Sequence, residues 1–164
     1  MLQWFSKKRI IVEKALPDDV HTLAEIHKDG FRQCWSDGDF ISFLGNEKYF
    51  CLVAREENWV TRKLLGFVLV RQIEDEAEIV TIATLSKVRR SGVGRKLMDE
   101  AIRWLQYDRV SRLFLEVDEN NQPAVNMYNG LRFKQISVRK GYYQGHALGA
   151  GKPSNALVMQ RDLS

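Results

Sequence analysis

The chain has 164 residues, 45% of them hydrophobic and 28% charged, a composition that supports a globular domain with its own core. No apolar run approaches the ~20 residues that cross a bilayer, and MLQWFSKKRI places its apolar residues before its basic cluster, the reverse of a signal peptide. A cytoplasmic protein with no membrane partner is expected. The net charge of +4 suits a small anionic ligand, and without a basic stripe interleaved with aromatics, direct nucleic-acid binding is not expected.

In chain order, RIIVE (Arg9 to Glu13) reads as a first strand. Pro17 with Asp18 and Asp19 then opens a helix, whose apolar period through Val20, Leu23, Ala24 and Ile26–His27 continues toward Phe31. An irregular stretch precedes a short helix starting near Asp37. Strands follow at Tyr49 to Ala54 and Leu64 to Ile73, joined by a hairpin loop REENWVTRK, and then at Ala77 to Ala83. Val93, Leu97, Met98, Ala101, Ile102 and Leu105 form the stripe of a long helix from about Gly92 to Tyr107. A strand at Arg112 to Val117, a helix at Gln122 to Asn129 and a strand at Phe133 to Val138 come next. GYYQGHALGAGKP reads as a Gly-rich loop before a closing strand, Asn155 to Gln160. The order β-α-α-β-β-β-α-β-α-β-β, without repeats or an internal linker, predicts one α+β domain over residues 1–164.

Cys34 and Cys51 form no CxxC pair and no zinc pattern with His21, His27 and His146, so they read as reduced, partly buried thiols and no metal is expected. The loop KVRRSGVGR carries more chemistry. A buried strand runs into it, and its Gly-x-Gly turn opens a long helix. Small residues there let backbone approach a ligand, and the free N–H groups of the first helical turn point at an anion. Arg89, Arg90 and Arg95 add positive charge, so phosphate binding suits this stretch; the alternative is a glycine-softened loop with solvated arginines. A Walker loop is excluded because GxxxxGK[ST] is absent, and a Rossmann turn would need glycine where Leu97 stands.

LFLEV puts Leu113, Leu115 and Val117 on one face of its strand and Phe114 and Glu116 on the other. With both faces mostly apolar, the strand is expected to be central and covered. Partial desolvation makes a carboxylate a better proton acceptor near neutral pH, as a general base requires. The competing reading of Glu116 is a carboxylate paired with an arginine at the strand end. Asn121 and Pro123 suit the start of the next helix, Gly130 its end, and Tyr128 its last turn. Acyl transfer to an amine needs a base for the ammonium and an acid for the departing thiolate, and Glu116 and Tyr128 suit those two roles.

Arg89-Arg90-Ser91-Gly92-Val93-Gly94 resembles the R/Q-x-x-G-x-G/A pyrophosphate loop of GCN5-related N-acetyltransferases, and the element order resembles that fold. The resemblance implies a mixed, mostly antiparallel sheet flanked by helices, with a splayed central strand pair. It implies acetyl-CoA as cosubstrate, held by Ile82, Ala83 and Thr84 at the strand end and by the loop Arg90, Ser91, Gly92, Val93, Gly94 and Arg95, with Arg89 before it. LEVDENNQPAVNMY, RKGYY at 139–143 and NALVMQRDL resemble the ribosomal-protein-alanine N-acetyltransferase (RimI) group. That likeness implies Glu116 as base, Tyr128 as acid, Asn121 as a CoA-binding residue, and a ribosomal protein's N-terminal amine as acceptor. Trp35-Ser36 resembles the group's substrate-side loop. Trp35, Tyr142, Tyr143 and Phe31 are the aromatic candidates for the acceptor groove, with core packing as the alternative for Phe31 and Trp35. Glu56, Glu57, Glu74, Asp75, Glu76 and Glu78 would suit a basic acceptor if they faced that groove. Two departures stand out: Arg132 precedes Phe133 where the family usually has glycine, with Gly130 expected to take over the helix-ending role, and Leu85-Ser86-Lys87 lacks the usual proline. Acetylation of a small amine (a polyamine, antibiotic or amino acid) and a non-catalytic CoA-binding module remain alternatives.

Overall fold

The computed structural model describes residues 8–143 and 153–164. Its strands are β1 (Arg9–Lys14), β2 (Tyr49–Glu57), β3 (Arg62–Ile73), β4 (Glu76–Thr84), β5 (Arg112–Asp118), β6 (Lys134–Tyr143) and β7 (Ser154–Asp162). They form one sheet in the order β1-β2-β3-β4-β5-β7-β6. Only β4 and β5 run parallel; every other neighbouring pair is antiparallel. The helices are α1 (Val20–Gly30), α2 (Asp37–Leu44), α3 (Val93–Tyr107) and α4 (Gln122–Gly130). The expected order of elements is thus the observed one, and none of the described helices is long and apolar enough to cross a membrane.

The two faces of the sheet bury separate cores. On one, the α3 stripe meets Leu52, Val68, Val70, Leu113, Leu115 and Met159. Leu97, Met98, Ala101 and Leu105 are fully buried there; each large side chain contributes about 1.5–3 kcal/mol of transfer free energy. On the other face, Leu23, Ile26 and Phe40 of α1 and α2 cover Cys51, Val53, Phe67 and Leu69. Helix α2 begins at Asp37 because Ser36 and Asp39 cap each other: Ser36 Oγ accepts from the Asp39 N–H (3.2 Å) and Asp39 Oδ2 accepts from the Ser36 N–H (2.7 Å).

Several expectations are corrected. The β2–β3 hairpin loop is short, because Arg55–Glu57 and Arg62–Lys63 pair as strand and only 58–61 connect them. Buried Arg55 fixes this extension, donating to Glu13 (2.6 Å) and Asp19 (2.5 Å) and so tying β2 to β1 and to the turn before α1. Strand β6 runs on to Tyr143, so Gly141-Tyr142-Tyr143 belong to a bulged strand end that re-pairs at Tyr143↔Ser154 rather than to a loop; the remainder of the expected Gly-rich loop, 144–152, lies outside the described residues. Strand β5 is central, but only its Leu113–Leu115–Val117 face is fully buried; Phe114 and Glu116 are half-buried. Cys34 is exposed and only Cys51 is buried.

Strand β4 carries an irregularity that its sequence hides. Against β3 the register moves from Leu69↔Thr81 to Val70↔Ile79, leaving Val80 as an extra residue. Such a bulge flips the alternation beyond it. Ile79 and Ile82 consequently pack toward the α3 core, and Val80 and Ala83 toward the α1–α2 core. Beyond the bulge the strand lies so close to β3 that a Cβ on Gly66 would sit 2.7 Å from the Ala83 carbonyl oxygen.

The end of α4 resolves the Arg132 departure. Phe133 N–H donates to the Tyr128 carbonyl (3.0 Å) and Arg132 N–H to the Asn129 carbonyl (3.0 Å), the paired bonds of a Schellman motif. The left-handed residue of that motif is Arg132 itself, at φ +66°. Gly130 ends the helix but does not take over this role, since its φ is not positive.

Two outcomes follow from this geometry. Gly66→Ala forces backbone against backbone, so urea unfolding is expected to show a loss of about 1–3 kcal/mol; an unchanged midpoint would mean β3 and β4 can part freely. Arg132→Gly removes a left-handed cost of about 1–2 kcal/mol against about 0.5–1 kcal/mol of added chain entropy. Its midpoint is therefore expected to rise slightly, and a fall would assign the Arg132 side chain a stabilising contact.

Candidate active site

Pairing between β4 and β5 covers only Glu76↔Arg112, Ala77↔Leu113 and Glu78↔Phe114. From Val80 onward β4 stays with β3, while β5 stays with β7 along its whole length. The two strands therefore part, and the backbone of Ile82, Ala83 and Thr84 has a strand partner on the β3 side alone. This is the expected splayed pair.

On the α3 side of the gap, the turn after β4 closes in short hydrogen-bonded steps. Val88 N–H donates to Leu85 O (3.0 Å), Arg89 N–H to Ser86 O (3.3 Å) and Ser91 N–H to Val88 O (3.3 Å). Ser91 Oγ also donates to Val88 O. Arg90 at φ +62° and Gly92 at φ +87° take left-handed conformations that turn the chain sharply into α3. Gly92 caps α3 without a side chain, and the first intrahelical bond is Lys96 N–H to Gly92 O (3.0 Å). The N–H groups of Val93, Gly94 and Arg95 thus form the helix's open, electropositive end, an arrangement that suits an anion. Gly94 lies against Met127 of α4, where a Cβ would come within 3.6 Å of the sulfur.

The three arginines do not converge on one spot. Arg89 extends to the C-terminus of α1, its Nη2 3.9 Å from the place of a Gly30 Cβ, where a cation complements the helix dipole. Arg95 pairs with Asp99 (3.3 Å), with its Nη1 beside Gly130. Arg90 remains in the turn. Asn121 caps α4, its Oδ1 accepting from the Ala124 N–H (3.3 Å). Its capping role accounts for the residue structurally, and its side-chain N–H groups have no partner among the described residues.

Across the gap stand Glu116 of β5 and Tyr128 of α4, with Tyr143, a residue assigned only to the groove, exerting or feeling charge toward each. Burial first, then the Glu116 charge, pushes the Tyr143 hydroxyl up to about 12. Burial first, then Tyr143, pushes the Tyr128 hydroxyl up to about 12. These directions put Glu116, Tyr143 and Tyr128 in one electrostatic neighbourhood. Tyr128 is 5% exposed, with its ring edge-on to Phe133 (5.8 Å). Glu116 is not simply a desolvated carboxylate, as expected; its Oε1 accepts from Arg139 Nη1 at 2.7 Å, so the arginine-paired reading holds for the structure. The hydrogen bond raises the Arg139 pKa in turn.

Two of the aromatic candidates, Phe31 and Trp35, sit on the α1–α2 face. Buried His27 stacks between Phe31 (4.5 Å) and Trp35 (4.4 Å), and its Nδ1 accepts from the Trp35 N–H (3.3 Å). Burial lowers the His27 pKa and favours the neutral ring this bond requires. Trp35 is half-buried and packs on the core, touching Phe40 and Phe43, whereas Phe31 is 42% exposed. Tyr142 is exposed and Tyr143 half-buried, their rings edge-to-face at 5.1 Å.

The acidic residues do not form an acceptor wall. Glu76 pairs with Arg112, and Glu78 with Arg71 (2.9 Å), at the end of the sheet where β4 and β5 are still joined; Glu74 and Asp75 form the turn there. Glu56 and Glu57 pair with Lys8 (3.1 Å) and with Arg9 and Arg62 (3.6 and 3.2 Å) on the β1–β3 side. The sequence reading missed Gly66, although a glycine inside LLGFVLV signals close backbone approach. It also missed His27 as the centre of a stack, and Asn155, whose Oδ1 accepts from the Gly141 N–H (2.9 Å) while its Nδ2 donates to Glu119 (3.3 Å). No local pattern announces either. Among the described residues no cluster of His, Cys, Asp or Glu forms a metal-sized site.

Comparison with known proteins accords with this geometry. Residues 20–133 match the Acetyltransferase (GNAT) family. The chain is 29% identical to the [ribosomal protein bS18]-alanine N-acetyltransferase of Haemophilus ducreyi, over 91% of this chain and 97% of that one. It is 32% identical to its namesake from Haemophilus influenzae, over 86% and 90%. The fold superimposes on the crystal structure of the ribosomal-protein-S18-alanine N-acetyltransferase of Escherichia coli with a TM-score of 0.82, covering 95% of each chain at 24% identity. A parted β4–β5 pair beside an open helix N-terminus, within a sequence matched over most of its length, places the chain in the acetyltransferase (GNAT) family as an acetyl-CoA-dependent N-acetyltransferase.

Proposed function

We propose that residues 1–164 form one cytoplasmic N-acetyltransferase domain that acetylates the α-amine of a protein N-terminus, that of a ribosomal protein first among candidates. The acceptor assignment is supported by relatives named for alanine acetylation of ribosomal protein bS18, which align over nearly the whole chain. The mechanistic assignment is supported by placement: Glu116 stands on β5, one of the two strands that part, and buried Tyr128 on the helix that follows it, with Tyr143 close enough to both to feel the Glu116 charge and to raise the Tyr128 hydroxyl.

In this reading the loop Arg90–Arg95, with Arg89 before it, holds acetyl-CoA by its phosphates, Asn121 contributes to CoA binding, and the free edge of Ile82–Thr84 holds the arm that carries the thioester. The acceptor arrives largely as an ammonium, with pKa ≈ 8. Glu116 takes one proton and the amine nitrogen attacks the thioester carbonyl. Backbone N–H groups near Ala83 and Thr84 stabilise the oxyanion. As it collapses, the carbon–sulfur bond breaks, the acetyl group stays on nitrogen, and the thiolate receives the Tyr128 proton; the nitrogen's second proton leaves as the amide forms and restores the phenol, and Glu116 gives its proton up to solvent. Trp35, Tyr142 and Tyr143, with exposed Phe31, form the acceptor side.

The test is thiol release from acetyl-CoA with short peptides differing at residue one, beside spermidine and free lysine. Glu116→Gln and Tyr128→Phe are each expected to lower kcat on an Ala-starting peptide by about 10²–10⁴-fold, with acetyl-CoA binding retained. Turnover on the small amines alone would discard the protein acceptor and leave the family assignment intact.

The pH profile gives an independent check. A hydroxyl raised to about 12 keeps its proton well above the usual tyrosine range. With Tyr128 as acid, kcat at saturating peptide is expected to stay level from about pH 8 through about pH 10. A fall centred near pH 10 would show that the acid is a solvated phenol.

A further inference from the structure

Arg139 lies outside the assigned chemistry, yet its guanidinium is held from two sides. Its Nη1 donates to Glu116 Oε1 at 2.7 Å, and its Cζ sits 4.1 Å from the centroid of the Tyr142 ring. The Glu116 side chain is 25% exposed and the Arg139 side chain 52% exposed. The contact is monodentate, so one carboxylate oxygen is engaged and Oε2 makes no hydrogen bond among the described residues.

The backbone around Arg139 is shaped to produce this contact. Between Arg139↔Ala156 and Tyr143↔Ser154, four steps on β6 oppose two on β7. Gly141 absorbs the excess at φ +63°, and Asn155 Oδ1 takes the Gly141 N–H that the ladder leaves over (2.9 Å). Asn155 is itself fixed to Glu119 through its main-chain N–H (3.1 Å) and its Nδ2 (3.3 Å). Without these extra residues the Tyr142 ring and the Arg139 side chain would follow ordinary strand alternation instead of meeting.

We propose that Arg139 is a positioning residue for Glu116: stacked on Tyr142, it holds one carboxylate oxygen and leaves the other to receive the acceptor's proton. The inference rests on the reading of Glu116 as the base. A cation on an aromatic face keeps few alternative rotamers, so the pair orients a carboxylate that would otherwise rotate at the edge of an open gap. The guanidinium touches neither the thioester nor, in this account, the acceptor. Its removal therefore acts on kcat and leaves the phosphate-binding turn alone.

The experiment measures kcat at saturating acetyl-CoA and peptide for Arg139→Met, Arg139→Lys, Tyr142→Ala, Tyr142→Phe and the Arg139→Met/Tyr142→Ala double variant, with Glu116→Gln alongside. Arg139→Met is expected to lower kcat about tenfold or more, as a misplaced catalytic group does, with the KM for acetyl-CoA unchanged. Arg139→Lys, which keeps a donor, restores part of the loss, and Tyr142→Phe, which keeps the ring, loses less than Tyr142→Ala. The double variant is expected to be little worse than Arg139→Met, because both substitutions remove one unit. Unchanged or increased kcat in Arg139→Met, no rescue by lysine, or losses that multiply would overturn the proposal. Full activity in Glu116→Gln would instead sink the base assignment on which it rests, so the two failures are told apart.

Discussion

The site depends on one constraint: β4 and β5 are neighbours in the sheet yet pair over only three residues. Two parallel strands of this length would normally zip to their ends, because unpaired backbone groups are costly away from water. Here two features prevent it. The extra residue Val80 rotates the last half of β4 out of phase with its first half. On the far side, Gly66 lets β3 draw that half closer than any side chain would permit. The strand is pulled toward β3, and the gap follows. What remains is a strand edge with unsatisfied donors and acceptors in the middle of a sheet, and an extended ligand arm can satisfy them as a further strand would.

Both borders of the gap are built from elements that the gap itself separates. Helix α3 packs on β2, β3 and β4, so its N-terminus is carried by the β4 side. The proposed base and acid, Glu116 and Tyr128, belong to β5 and α4 beyond it. Above the paired residues the two halves share the α3 core, and at the mouth of the gap Gly94 lies against Met127 and Arg95 beside Gly130. A ligand spanning the turn and the strand edge would therefore bridge halves that share a core but no strand pairing there. Arg89 adds a second link, from the turn to the end of α1 and hence toward the His27 stack.

Much of this was legible in the residues, for identifiable reasons. The apolar stripe of α3, the Asn121 cap and the Gly-x-Gly turn are local signals, and each lies where its pattern put it. The errors share one cause, interactions between residues distant in sequence. Arg55 looked like loop because its partners Glu13 and Asp19 are 42 and 36 residues away. Gly141-Tyr142-Tyr143 looked like loop because Asn155 supplies the acceptor that makes a bulged strand possible. Glu116 looked desolvated because alternation cannot reveal that Arg139, 23 residues on, returns to it. Arg132 marks a subtler limit: the chain takes the left-handed turn that glycine favours while carrying an arginine, so backbone demand outlasted the residue that usually meets it.

The burial of Tyr128 has two opposed effects on the role proposed for it. A phenol raised to about 12 is a poorer proton donor than one at ~10, and protonating a thiolate from it is uphill while the two are apart. Burial also withdraws water from the same place, so a departing thiolate there would lose solvation as well and gain basicity by the same physics. The difference between donor and acceptor then narrows as charge develops on sulfur, when the transfer is needed. Tyr143, whose own hydroxyl is raised to about 12, extends this dry neighbourhood toward Glu116 without adding charge at neutral pH. A paired carboxylate on the solvated border and neutral phenols inside it would separate the proposed base from the proposed acid by environment, so that proton uptake and release could share one site without the two groups neutralising each other.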